Sequence, residues 1–262
     1  MTYWQGLLLG IVQGLTEFLP ISSSGHLVVA ETAIGLTTPG VVVEVVLHVA
    51  TLLAVTIVYR ARIIELVRGV VDGSRTAWQY VGVLALASIP AGVVGFLFAD
   101  FFERAFDSLL AVGCNFLVTG TVLWGTRWAR GGGRRERPTP TGAGGIGLAQ
   151  ALAILPGISR SGTTVAAGLW LRLTPERAAE FSFLLAIPAI AGAAVLQLGE
   201  LSVGAATVGL VPLAASFVAA LVSGVFAIRF LILLLRRGAF HRFAPYCWGV
   251  GVATVWWALV RA

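Results

Sequence analysis

The chain has 262 residues, 58% of them hydrophobic and only 11% charged, with a mean hydropathy of +0.91. Soluble domains carry about 25% charged residues, so no water-soluble core could hide this much apolar surface and the bilayer must solvate most of it. The net charge of +6 rests on eighteen Arg and no Lys; those Arg fall in the pattern of membrane loops and exclude a nucleic-acid-binding face.

The first apolar region, residues 2–36, is interrupted midway by Pro20, Ser22, Ser23, Ser24 and Gly25 and reads as a pair of half-helices. No Lys or Arg precedes Arg60, so the basic start of a secretory signal is missing. Stretches near 41–59, 77–99, 107–126, 178–198, 208–235 and 243–261 are each long and apolar enough to be a transmembrane helix. Trp248, Trp256 and Trp257 in the last suit an interfacial belt. A second broken region, 144–171, lies between the third and fourth spans. The 127–143 segment, with Gly131, Gly132, Gly133, Pro138 and Pro140, is a natural linker. Cys114 and Cys247 make no metal motif.

Arg placement orients the spans. The 60–76 loop, the 127–143 linker and the 236–242 turn hold most of the Arg and should be cytoplasmic by the positive-inside rule. The 100–107 turn, with Asp100, Glu103 and Asp107, and the 199–207 turn, with Glu200, should lie outside. Segment 144–171 then begins and ends on the cytoplasmic side, so it dips in and returns. If 2–36 does the same from the other face, both termini are external; one full span within 2–36 would instead put the N-terminus inside.

The two broken regions resemble each other. Aligned at an offset of 137, Gln13/Gln150, Leu15/Leu152, Ile21/Ile158, Ser22/Ser159, Ser24/Ser161 and Gly25/Gly162 are identical. Glu44 and Glu180, 136 residues apart, each open a following apolar span. The expected fold is a single all-α integral membrane domain over 1–262, with six transmembrane helices and two re-entrant broken helix pairs. Residues 1–126 and 144–262 form an inverted-topology repeat, joined by the 127–143 linker. Such repeats place polar sites at their discontinuous helices, and irregular backbone at membrane depth must face protein or a wet cavity.

The breaks carry the chemistry. Gln13 and Glu17 are four apart and share a helix face. An intramembrane carboxylate must be paired, metal-bound or protonated. Ser22, Ser23, Ser24 and His26 follow in the first break; Ser159, Arg160, Ser161, Gly162, Thr163 and Thr164 form the second. Free N–H groups at the start of the second half-helix favour an anion, and the planar guanidinium of Arg160 suits phosphate oxygens. Where the second break has Arg160 the first has Ser23, a hydroxyl against a cation, which fits phosphate chemistry. Ser22, Ser24, Thr163 and Thr164 can equally be caps, His48 a packed residue within its span, Glu44 and Glu180 supporting or interface residues, and Glu31 an interfacial one.

At these positions the sequence resembles the undecaprenyl-diphosphate phosphatases, the bacitracin-resistance family. Gln13-Gly-Leu-Thr-Glu17-Phe-Leu-Pro-Ile-Ser-Ser23-Ser-Gly-His26 is similar to the family's (E/Q)xxxE and Ser/His motif, and Pro156-Gly-Ile-Ser-Arg160-Ser-Gly-Thr-Thr164 to its PGxSRSxxT motif. The likeness extends over essentially the whole chain, including Ala179-Glu180-Phe-Ser-Phe-Leu-Leu-Ala-Ile-Pro188. It implies hydrolysis of undecaprenyl diphosphate to the monophosphate and phosphate, recycling of the lipid carrier for cell-wall synthesis, resistance to bacitracin and residence in the cell membrane. It also implies a divalent cation, Mg²⁺ or Ca²⁺, with Glu17 as a ligand. Gln13 stands where many members have Glu, which reduces a carboxylate pair to one. Glu17, Ser23, His26 and Arg160 match the family's essential groups. Gln13, Ser22, Ser24, Ser159, Ser161, Gly162, Thr163 and Thr164 are the expected substrate-binding set. Partners are a polyprenyl diphosphate and membrane lipid, with no nucleic acid; a homodimer stays open. In one mechanism Ser23 attacks phosphorus while His26 or Glu17 takes its proton; in the other an activated water attacks and Ser23 only binds. The rival function is an anion or lipid transporter, because broken-helix repeats are also a transporter architecture.

Overall fold

The computed structural model describes residues 1–34, 40–129, 133–196 and 208–261. The 199–207 turn with Glu200, and Arg130, Gly131 and Gly132 of the linker, fall outside them. The described residues are almost wholly helical: α1 (Tyr3–Phe18), α2 (Ser23–Ile34), α3 (Gly40–Val58), α4 (Arg60–Val71), α5 (Arg75–Leu97), α6 (Ala99–Phe106), α7 (Leu109–Gly125), α8 (Pro140–Leu152), α9 (Arg160–Trp170), α10 (Pro175–Leu196), α11 (Leu210–Arg236) and α12 (Ala244–Arg261).

Local chemistry sets several boundaries. Thr2 and Gln5 form a reciprocal capping box at the start of α1. Leu19 is extended (ψ 146°) because Pro20 follows it, and this ends α1. Thr139 caps α8, with Pro140 in its first turn, where a missing N–H costs nothing.

Among the described residues, four helical stretches are long and apolar enough to cross a membrane: Arg75–Leu97, Leu109–Ala129, Leu210–Arg236 and Phe240–Arg261. A fifth candidate joins Val42–Val58 to Arg60–Val71 through a 76° bend. With an apolar composition and large apolar side chains exposed along these helices, the chain is a multi-pass membrane protein.

Two segments expected as loops are helices. Over 60–76, α4 spaces Arg60, Arg62 and Arg68 against Ile64, Val67 and Val71 at helical period, and Arg62 pairs with Glu65 at 2.9 Å one turn on. Leu66 is its buried residue and the three aliphatics are exposed, the pattern of a helix lying in a membrane interface. Over 100–107, α6 buries Phe102 and exposes Phe101. Charge content marked both as loops, but short amphipathic helices carry the same charge on one face.

The packing joins the two halves. α1 runs along α11, α8 along α5, α7 against α12, and α3 against α10 and α11. One continuous core contains Phe18 and Ile21 from the first break with Val165, Ala166 and Phe183 from the second half; Phe18 meets Phe183 edge-on at 5.5 Å. At the Arg-rich end, Glu180 accepts hydrogen bonds from Arg62 (3.0 Å), Arg177 (2.8 Å) and Tyr80 (3.2 Å), tying α4, α5 and α10 together. Its counterpart Glu44 instead lines an open cavity of about 710 Å³ with Glu31, Asp107 and Arg261. Trp256 is exposed as a belt residue would be, whereas Trp248 packs inward on Trp124, ring centroids 5.6 Å apart.

Candidate active site

Each break is a short turn that starts a new helix with a serine cap. In the second, Ser159 Oγ accepts the Gly162 N–H at 3.0 Å, satisfying one of the free donors of α9. Ser22 plays the same part for α2, accepting the Gly25 N–H at 3.3 Å, but with φ at +70°. A non-glycine residue in that region is strained.

The turns are held from α7 and α12. Thr119 Oγ1 donates to the Gly157 carbonyl (2.8 Å) and accepts from the Ser159 N–H (3.0 Å), while Asn115 Nδ2 donates to the Pro156 carbonyl (2.8 Å). Gly157 has φ +93°, and a Cβ there would strike the Val112 carbonyl and the Asn115 Cβ, so only glycine fits. In the first turn the corresponding bond is the weaker one from Cys247 Sγ to the Pro20 carbonyl, 3.6 Å.

The two turns touch. A Cβ on Gly25 would lie 2.9 Å from Gly157 Cα, and one on Gly162 would lie 3.4 Å from Pro20 Cβ. Ser161 Oγ donates to the Leu19 carbonyl at 3.1 Å, crossing from one break to the other. As expected for irregular backbone in an apolar solvent, the breaks face one another.

This contact gathers the reactive groups. Glu17 is the hub and 7% exposed. Its Oε1 accepts from Arg160 Nη2 at 2.5 Å, and its Oε2 accepts from Ser23 Oγ at 2.6 Å and Gln13 Nε2 at 3.1 Å. A buried carboxylate is tolerable only with such partners. Two polar atoms here have none: Arg160 Nη1 and Gln13 Oε1 are buried and unpaired. Leaving them so costs about 1–3 kcal/mol each, more for the charged group. The site therefore holds a carboxylate beside a hydroxyl, with an unspent guanidinium donor next to them, which can bind an oxyanion and take a proton from an attacking oxygen.

The other expected residues divide. His26 does not reach Ser23 or Glu17: its Nδ1 donates back to the Ser22 carbonyl (2.7 Å) and its Nε2 pairs with the Tyr246 hydroxyl (2.8 Å). Its ring lies parallel to Tyr246 and edge-on to Phe116. Ser22 and Ser24 hydroxyls sit 3.3 Å apart, as do those of Ser159 and Ser161. Thr163 Oγ1 bonds back to the Ser159 carbonyl at 2.9 Å, and Thr164 Oγ1 donates to the Arg160 carbonyl at 2.7 Å and meets Ser182 Oγ at 2.6 Å. These hydroxyls brace the turn that carries Arg160. His48, anchored to the Glu44 carbonyl at 2.8 Å, lies within electrostatic reach of Glu17. Tyr246, Thr119 and Asn115 were not singled out in the sequence. Each lies far along the chain from its partner or in an ordinary apolar helix, and no local pattern marks it. Among the described residues, no group of three or more His, Cys, Asp or Glu could by itself hold a metal ion.

Comparison with known sequences decides the family. The profile of the bacitracin resistance protein BacA matches residues 6–253. The chain belongs to this family. Among its relatives, an undecaprenyl-diphosphatase of Desulfosudis oleivorans is 43% identical, covering 96% of this chain and 97% of its own length. One of Carboxydothermus hydrogenoformans is 41% identical over 96% of each chain, and one of Desulforapulum autotrophicum 40% identical over 97% of this chain and 98% of its own. Both broken segments, with Glu17, Ser23 and Arg160, lie inside the matched range.

Proposed function

We propose that the chain is an undecaprenyl-diphosphate phosphatase whose centre is Glu17, Ser23 and Arg160. It returns the lipid carrier as the monophosphate for cell-wall synthesis, and so confers bacitracin resistance. The observation that carries this is the convergence of a hydroxyl, a carboxylate and a guanidinium with an unpaired donor, brought from two distant segments into one buried spot.

Arg160 keeps Nη2 on Glu17 and offers Nη1 to the terminal phosphate, countering the charge that builds on the transferring group. Ser23 Oγ attacks that phosphorus, its proton passes to Glu17 Oε2, and the bridging P–O bond breaks to release undecaprenyl monophosphate. Water then cleaves the phosphoserine, taking the path in reverse, with Glu17 returning the proton to Ser23. The Ser23–Glu17 hydrogen bond favours this route, with Glu17 rather than His26 as base. Gln13 Oε1 and the Glu17 carboxylate are hard oxygen donors, and Mg²⁺ is commonly held by one or two carboxylates with substrate phosphate oxygens, so these two residues fit a divalent cation. When bound it would neutralise phosphate charge.

Full six-span topology with an inverted repeat fits the pairing of α1 with α11 and of α8 with α5, which exchange under the offset that relates the halves. With it, both termini are external. The test is release of inorganic phosphate from undecaprenyl diphosphate by the purified protein, with acid-quenched single turnovers searched for phosphoserine. Phosphate release with the label on Ser23 is expected; solvent oxygen entering the phosphate in a single turnover with no covalent species would replace Ser23 by water as the nucleophile. No phosphate release at all would leave the transporter reading.

A further inference from the structure

Resting on the phosphatase reading, we propose that the apolar groove between α5, α6 and the end of α8 seats the first isoprene units of the polyprenyl chain. The groove has a volume of about 660 Å³ and is walled by Val94, Phe98, Phe101, Phe102, Leu152 and Leu155 among other apolar residues, with no polar side chain in its lining. That size is in the range that holds small organic ligands.

What points to the substrate's own tail, beyond ordinary lipid, is continuity with the site. Leu152 ends α8, and Leu155 lies in the break that runs through Pro156 and Gly157 to Arg160. Five residues of chain span at most about 18 Å, so one short turn borders the groove at one end and presents the phosphate-binding guanidinium at the other. This turn is held fast by Thr119 and Asn115, which fixes the groove relative to Arg160. The cavity beside α2 has three carboxylates, Glu31, Glu44 and Asp107, against the single cation Arg261 in its wall, and so suits an apolar chain less well than the wholly apolar groove. Phe98 and Phe101 are more than half exposed, so the groove opens to lipid and a tail can enter sideways without crossing water.

In a bilayer the tail is already out of water, so the groove gains contact and shape rather than hydrophobic burial. Its effect should be on recognition of a long chain, of modest size, and on KM rather than kcat.

The experiment compares undecaprenyl diphosphate with methyl diphosphate, which has no isoprene unit to place in the groove. Leu152→Trp fills the groove and should raise KM for the long substrate roughly tenfold, as blocking a hydrophobic subsite does, with kcat within about twofold and the short substrate unaffected. An unchanged long-chain KM overturns the proposal, and so does an equal loss with both substrates, the result for a groove occupied by bulk lipid or a second copy. A second measurement needs no variant. A photoreactive group on the first isoprene unit of a diphosphate analogue should mark Phe101, Leu152 or Leu155 in the wild-type protein, and marks confined to other helices overturn the assignment. Should the wild type release no phosphate from either substrate, the catalytic reading fails while the labelling still reports on the groove.

Discussion

The two breaks start from one design and end as different tools. Both use a serine to cap the helix that follows, at Ser22 and at Ser159, and both pair that serine with another two residues on. The second is clamped by Thr119 and Asn115, its positive φ is taken by Gly157, and its one charged group is a cation. The first places its positive φ on Ser22, has a weak thiol contact in place of the threonine clamp, and brings the Ser23 hydroxyl onto the Glu17 carboxylate. In the proposed mechanism the clamped turn holds the anion and the turn with the strained Ser22 bears the reacting groups. The two turns match in sequence around their serines and differ at one position, Ser23 against Arg160, and the proposed site draws on that difference.

Variants can break this division of labour in order of expected effect. Ser23→Ala removes the attacking oxygen and should lower kcat for phosphate release by roughly 10³-fold or more, with thermal unfolding in detergent unchanged. Arg160→Lys keeps the charge but loses the fork that serves Glu17 and phosphate together, so kcat/KM should fall by about 10²-fold; near-wild-type turnover would remove Arg160 from the cradle. Tyr246→Phe frees His26 Nε2 while keeping the ring contact. With Glu17 as the base, activity should fall by no more than about tenfold and the pH profile of kcat/KM should keep its shape; a changed profile would bring His26 into the proton path. Thr119→Val keeps the shape but leaves the buried Ser159 N–H and Gly157 carbonyl unpaired. Stability should drop by about 1–3 kcal/mol, read as a lower melting temperature, with a smaller loss of activity.

Much of the site was legible because its chemistry is local. Gln13 and Glu17, four apart, do bond to each other, and Ser159 does cap the helix that begins with Arg160. That the breaks meet followed from the rule that irregular backbone avoids lipid. Nearness in sequence misled for His26: three residues from Ser23, it lies on a helix whose turn sends its Nδ1 back to the Ser22 carbonyl. Tyr246, 220 residues further on, is a partner that no spacing could reveal. Charge misled for α4 and α6, where short amphipathic helices were expected as loops. Among the described residues four to five apolar helices are long enough to span, and the likeness of the two halves is a matter of residue matches in the sequence.

In the proposed mechanism Ser23, Glu17 and Arg160 act as one unit across the contact of the two turns. The most direct test is a double-mutant cycle on kcat for phosphate release, with Ser23→Ala, Glu17→Gln and both together. If Glu17 works through the Ser23 hydroxyl, the double variant should lose no more than the worse single one. Losses that multiply would show two independent contributions and contradict a single catalytic centre.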